Sequence, residues 1–392
     1  MDEIQEKRYL REQLLDLLGI PKEKCSLESE LKGSVLHDDI VIEKWVWTSE
    51  PGSKVTSLLY MPKVRNSKIP AVVVANGHGG SKNSLYNHYT GQLYAKVGIA
   101  CLLYDTIGEE ERHVKGEKGT RAHDEEEVLR CAAENGRIVM GKMVFDTMRA
   151  IDFLFSHHDI DSENVGVTGN SLGGTIASWM LALDTRIKMA IVSGWAISMY
   201  GVAQSKACTR IPGMLMDKLC SLHEHLSLSV PHCAVLIMNG EKDYIIDKKG
   251  DGRCWDETRL NVTTLREVYK NSGIPAKCQL WFDGEGGHRA YHNHKKALLW
   301  INKYLGTPTY THEQIKKLPE ITLGRWCEKH GLKWEDSFAH LYWNEQNHKG
   351  GVYLDLDIVP ISADRLKCLR YEELGDPLYT IEGWLEAIKK RV

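Results

Sequence analysis

The spacing of apolar positions changes along the chain, and each spacing predicts a different element. Leu10, Leu14, Leu17 and Leu18 recur at helical intervals, so residues 2–18 read as an amphipathic helix stopped by Gly19 and Pro21. Segments 40–47 and 54–61 are rich in Val, Ile, Trp and Tyr and read as strands. Beyond them, short apolar runs without in/out alternation occupy 71–76, 98–105, 164–170, 189–194, 233–240 and 278–284. Such runs suit strands buried on both faces. Helical segments near 83–95, 137–157, 171–183, 257–271 and 290–304 separate them. This alternation predicts an α/β fold with a doubly wound, mostly parallel sheet.

Two segments interrupt the pattern. Residues 195–231 join two strands without a clear simple helix and contain Ile211-Pro212-Gly213, which predicts a small cap insertion over a site. Beyond Gly306, Thr307-Pro308-Thr309 reads as a linker, and Thr311 with Gln314 forms a capping-box pattern. Val352, Leu354, Leu356 and Ile358 alternate with Tyr353, Asp355 and Asp357 as in a half-buried strand, and two short helices are expected to follow. The expected organisation is an N-terminal helical extension (1–36), a catalytic domain (37–306) and a C-terminal α+β accessory extension (307–392).

Composition narrows the function classes. The 392 residues are 42% hydrophobic and 26% charged, as in ordinary globular proteins rather than disordered or polytopic membrane chains. Fifty basic residues against 53 acidic ones, with no long basic stripe, predict no nucleic-acid partner and no anionic membrane surface. The most apolar long stretch, 176–203, is broken by Asp184, Arg186 and Lys188, so it is not a membrane span. The ten cysteines are scattered without a CxxC pair, which suits buried free thiols in a reducing compartment rather than disulfides or structural zinc. The charged N-terminus does not read as a signal peptide, so a cytoplasmic location is expected.

The strongest chemical signal is Gly169-Asn170-Ser171-Leu172-Gly173-Gly174, between a strand and a helix. That context is what a nucleophile elbow needs, because a sharp strand-to-helix turn lifts Ser171 to the sheet edge. The helix start then offers N–H groups, Leu172 first, to a developing oxyanion. A serine needs a base. His288 follows the last apolar run in Gly284-Glu285-Gly286-Gly287-His288, and Asp243 follows the run before it, with Glu241 and Asp247 as rival acids. Both positions lie beyond strand carboxyl ends, where open α/β sheets bind ligands. A glycine-rich loop, Asn76-Gly77-His78-Gly79-Gly80-Ser81, follows the first run, and the backbone N–H of His78 is the candidate second oxyanion donor. Gly79 and Trp195 are candidate substrate contacts; Lys82, Asp146, Arg149 and Trp255 could line a pocket or merely pack. His288, His292 and His294 do not share a helix face, so no metal is expected there and His292 and His294 read as solvated. Asp105 and the Glu109–Arg112 run read as a solvated acidic loop, and Asp124–Glu127 as solvated surface.

With these residues in view, the chain resembles the α/β-hydrolase superfamily, and more narrowly its acetyl-xylan-esterase-like and dienelactone-hydrolase-like carboxylesterases. The resemblance covers roughly residues 40–306. It rests on GHGGSK (77–82), DTIGEEERH (105–113), GKMVFDTMRAIDFL (141–154), GNSLGG (169–174), CTRIPGM (208–214), NGEKD (239–243) and GEGGH (284–288). The family loop often reads His-Gly where this chain has Asn76-Gly77, and GxGER where this chain has Glu110 for the second glycine. The resemblance implies a triad of Ser171, Asp243 and His288 and short acyl esters, such as acetylated sugars, as substrates.

The expected function is that of a serine esterase forming an acyl-enzyme on a small-molecule ester, with no cofactor or metal, and with a homo-oligomer left open. The alternatives are a peptidase or amidase using the same triad, or a non-catalytic α/β-hydrolase-like binding protein.

Overall fold

A computed structural model describes residues 3–117, 119–333, 350–371 and 375–390. In chain order the strands are β1 (Glu30–His37), β2 (Ile40–Glu50), β3 (Ser53–Pro62), β4 (Ile69–Ala75), β5 (Ala100–Tyr104), β6 (Ile160–Asn170), β7 (Met189–Ser193), β8 (Ala234–Gly240) and β9 (Cys278–Asp283). They form one sheet in the order β1-β2-β3-β5-β4-β6-β7-β8-β9. The first four in that order pair antiparallel, and β5 through β9 pair parallel.

The helices of this part are α1 (Glu3–Leu17), α2 (Leu85–Lys96), α3 (Glu126–Glu134), α4 (Val139–Ser156), α5 (Leu172–Leu183), α6 (Met199–Gln204), α7 (Ala207–Met216), α8 (Leu222–Ser227), α9 (Arg253–Asn271) and α10 (Lys295–Tyr304). The pleat of β4 explains its unalternated sequence. Ala71, Val73 and Ala75 join a core shared with α1, α4, α5 and α9, while Val72 and Val74 join a second core beneath α2 and α10. Both faces are dry, so both must be apolar. Among the described residues no helix is long and apolar enough to cross a membrane.

Two regions differ from the expectation, and the tail follows it. The N-terminal extension is not wholly helical, because Glu30–His37 adds an edge strand to the sheet. Residues 195–231 hold the three short helices α6, α7 and α8, with Pro212 inside α7. The tail carries α11 (His312–Lys317), β10 (Glu320–Thr322), α12 (Leu323–Lys329), β11 (Val352–Leu354), α13 (Ala363–Leu369) and α14 (Ile381–Lys389). The capping box at Thr311 and Gln314 is formed, and β10 pairs antiparallel with β11. Trp326 and Tyr353 join the core under α2, whereas Ile381, Trp384 and Ile388 join the opposite one, so the tail packs on both faces of the sheet.

The acidic loop after β5 is buried rather than solvated. Asp105, Glu109, Glu110, Glu111 and Arg112 are each at most 3% exposed. The reason is tertiary charge pairing. The Lys82 ammonium binds Asp105 and Glu111, and Arg112 Nη1 donates to Asp146 at 2.7 Å. Lys142 also donates to Asp146, and Arg149 pairs with Asp152, so Lys82, Asp146 and Arg149 pack rather than line the cavity described below. Trp255 likewise packs in a small cluster with Ala196 and Cys254.

Candidate active site

The residues singled out around Ser171 meet at the carboxyl ends of the parallel strands. β6 ends at Asn170 and α5 begins at Leu172, so Ser171 is the whole turn between them. Its backbone is forced into φ 60° and ψ −120°. For a residue with a Cβ this conformation carries strain of order 1–3 kcal/mol, and it must be held by its surroundings. The Ser171 N–H donates to the Ser193 carbonyl at 3.0 Å. A Cβ on Gly173 would lie 2.0 Å from the Ala75 carbonyl oxygen, and one on Gly169 would lie 2.2 Å from the Gly173 oxygen. Only glycine allows these backbones to close on the turn.

His288 and Asp243 come from loops after β9 and β8. Their side chains meet in a 2.7 Å hydrogen bond between His288 Nδ1 and Asp243 Oδ2. A carboxylate only accepts, so Nδ1 carries the hydrogen and Nε2 is the basic nitrogen. Asp243 Oδ1 accepts two further bonds, from the N–H groups of Ile245 and Ile246, both at 3.1 Å. Asp243 is fully buried and His288 nearly so. The rival acids are engaged elsewhere: Asp247 Oδ2 accepts from the Gly252 N–H, and Glu241 pairs with Arg259 on the surface.

Ser171, His288, His78, Leu172 and Trp195 all line one cavity of about 200 Å³. Leu172 opens α5, where the first N–H groups have no carbonyl partner within the helix. The loop carrying His78 crosses close to the elbow, since a Cβ on Gly77 would lie 3.0 Å from the Asn170 oxygen and 3.3 Å from the Ser171 Cβ. Asn76, which stands where the resembling family often has histidine, fastens this loop: its Nδ2 donates to the Tyr104 carbonyl at 2.7 Å.

Gly79 does not line this cavity. Its N–H is turned away and donates to Glu109 Oε1 at 2.7 Å. Burial pushes the Glu109 carboxyl up to about 8. The His78 imidazole is engaged by Cys208, with Nε2 3.1 Å from Cys208 Sγ. Burial, then the neighbouring His123, Arg121 and Lys206, holds His78 well below the usual histidine range, so it is neutral.

Half-buried His78 with buried His123 and Cys208 places two imidazole nitrogens and a sulfur within 4.8 Å of one another, a donor set that could hold a soft or borderline metal ion. These three come from separate segments, and no spacing in the sequence signals them. His292 is buried and pushed down to about 4 by that burial, while His294 caps α10 and stacks on Trp281. Neither is a solvated histidine. Both lie under packing from elements that are distant in sequence.

Sequence reasoning also missed three cations of the cavity wall. Arg121, Lys206 and Lys248 line it together with Ile245, Ile246, Thr175 and Thr209. Lys206 lies just before the motif CTRIPGM, which was the available signal for this region.

Comparison with known proteins bears on the fold. Residues 22–200 match the family described as acetyl xylan esterase (AXE1). The Bacillus subtilis (strain 168) protein YtaP, named as a hydrolase, is 26% identical over 195 residues, which are 46% of this chain and 62% of YtaP. The chain therefore spans less than two thirds of that relative. Among solved structures, methylesterase BT1017 superposes with a TM-score of 0.58 at 14% identity, covering 98% of this chain and 75% of that one. Acetyl xylan esterase 1 from Thermoanaerobacterium sp. JW/SL YS485 gives 0.52 at 16% identity, covering 76% and 93%. This chain is an α/β-hydrolase by fold, and its residues 22–200 carry the acetyl xylan esterase family match.

Proposed function

We propose that the protein is a serine carboxylesterase acting on short acyl esters of small molecules, with Ser171 as nucleophile, His288 as base and Asp243 as its orienting acid. The observation that carries this reading is the strained Ser171 turn opening into the same cavity as a histidine whose Nδ1 is held by a buried carboxylate.

The chemistry follows from the positions. Ser171 Oγ attacks the ester carbonyl while His288 Nε2 takes its proton. The carbonyl oxygen becomes an oxyanion, with the N–H groups of Leu172 and His78 as its donors. His78 acts through its backbone, because its ring is turned towards Cys208. The ester C–O bond then breaks and the alcohol leaves with the proton from His288. Water attacks the acyl-serine, with His288 again taking a proton; the bond from Ser171 Oγ to the acyl carbon breaks, Oγ recovers the proton from His288, and the acid is released. Asp243 holds the tautomer and stabilises the imidazolium throughout.

A p-nitrophenyl ester series from acetate to octanoate, with wild type and Ser171→Ala, tests the reading. Turnover falling steeply beyond the shortest acyl groups, and absent in the variant, supports it. Equal rates for wild type and variant refute it.

A further inference from the structure

The lysine and arginine side chains lining the Ser171 cavity give its wall charge of one sign. Arg121, Lys206 and Lys248 all line it, and among the described residues no aspartate or glutamate does. The three reach it from different segments: Arg121 caps the short turn Ala122–Asp124, Lys206 is the N-cap of α7, and Lys248 lies in the loop after β8. The rest of the lining is mostly apolar or neutral, including Trp195, Ile245 and Ile246.

The nearby carboxyl groups sit behind this wall and are engaged there. Asp243 holds His288 and two backbone N–H groups. Asp124 accepts from the Cys208 N–H and is 4.0 Å from Lys206, at the outer limit of an ion pair. Asp247 accepts from the Gly252 N–H. Glu109 accepts from the N–H groups of Gly79 and Arg121. The Lys206 side chain is 48% exposed, and the Lys248 ammonium donates to a neutral carbonyl, that of Gln204.

Like charges converging on a half-enclosed, apolar-lined cavity repel one another, and low-dielectric walls strengthen their field inside it. An anionic group in the cavity removes that cost, while a cationic one adds to it. We propose that the physiological ester carries a carboxylate, on its acyl or its alcohol part, that Arg121, Lys206 and Lys248 recognise. The proposal rests on the esterase reading above and adds to it the charge of the substrate.

A competing role for the same cations is general stabilisation of the oxyanion, which would favour every ester alike. Matched ester pairs separate the two. On the acyl side, p-nitrophenyl hemiglutarate is compared with p-nitrophenyl valerate; on the alcohol side, 4-acetoxybenzoate with 4-acetoxybenzamide. We expect kcat/KM to favour the anionic member of at least one pair by about tenfold or more at low salt, and the preference to shrink as salt screens it. In Arg121→Gln, and in the double variant Lys206→Gln/Lys248→Gln, the ratio within that pair falls towards one.

Equal turnover of both members in wild type overturns the proposal, as does an equal loss on both members in the variants. Absence of turnover on p-nitrophenyl acetate would instead sink the esterase reading. Calorimetric titration of Ser171→Ala with 4-acetoxybenzoate and 4-acetoxybenzamide then still reads the charge preference. Tighter binding of the anion supports it, and equal or weaker binding refutes it.

Discussion

The backbone N–H of Gly79 donates to the carboxyl group of Glu109, so a buried acid on the loop after β5 holds the glycine-rich loop after β4. Burial raises this acid to about 8 against the pull of the two N–H bonds and Arg121. The folded protein therefore keeps a proton that the unfolded chain releases near pH 4.5. With fewer protons on the unfolded state, stability falls as pH rises through this window and levels off above the folded value. Glu109→Gln keeps a neutral acceptor and removes the titration. Melting curves between about pH 5 and pH 9 are predicted to show a steeper decline for wild type than for the variant. Parallel declines would contradict the assignment.

The elbow depends on glycine where backbones touch. A methyl at Gly173 would meet the Ala75 carbonyl at 2.0 Å, with only backbone to give way. Gly173→Ala should cost about 3 kcal/mol or more in urea unfolding, or prevent soluble expression. Gly284→Ala, where an added Cβ meets nothing within 4 Å, serves as the control and should change stability by less than about 0.5 kcal/mol.

Asp243 is assigned to hold the His288 tautomer. Asp243→Asn can still accept the N–H bonds of Ile245 and Ile246 through its amide oxygen, so the fold should persist. The amide at the other position favours the wrong tautomer, and kcat should fall by about 10²- to 10⁴-fold. Asp247→Asn and Glu241→Gln should each leave kcat within about threefold, because neither carboxylate engages His288. A collapse in Asp247→Asn with Asp243→Asn active would reassign the acid.

The tail is tied into the hydrolase core. Trp384 is fully buried, donates to Glu50 Oε1 at 3.0 Å and lies under the Arg137 guanidinium. Trp384→Ala should destabilise the whole protein by about 3–5 kcal/mol in a single unfolding transition. A separate early transition, with the main one unmoved, would show instead that the tail folds on its own.

What could be read from the chain follows the physics of each segment. The runs 71–76, 233–240 and their neighbours were legible because strands dry on both faces must be uniformly apolar. The elbow was legible because its strain demands local glycines and a strand-to-helix boundary. Strand β1 was missed because Glu30–His37 is mostly solvated, bulged near Gly33 and stabilised by pairing rather than by its own pattern. The Glu109–Arg112 run looked solvated because Lys82, which pairs with Glu111, and Asp146, which pairs with Arg112, are distant in sequence. Helix α7 was hidden by Pro212 in its interior. The cationic wall was hidden for a similar reason: Arg121, Lys206 and Lys248 stand in separate segments, and only the fold turns them to one cavity.

The most direct test of the account is to trap the acyl-enzyme. Wild type mixed with p-nitrophenyl acetate and quenched in acid during the first turnovers should gain one acetyl group, and peptide mass spectrometry should place it on Ser171. His288→Ala should acquire it far more slowly, and Ser171→Ala not at all. An acetyl group on another residue, or product release with no acetyl on Ser171, would contradict the central claim.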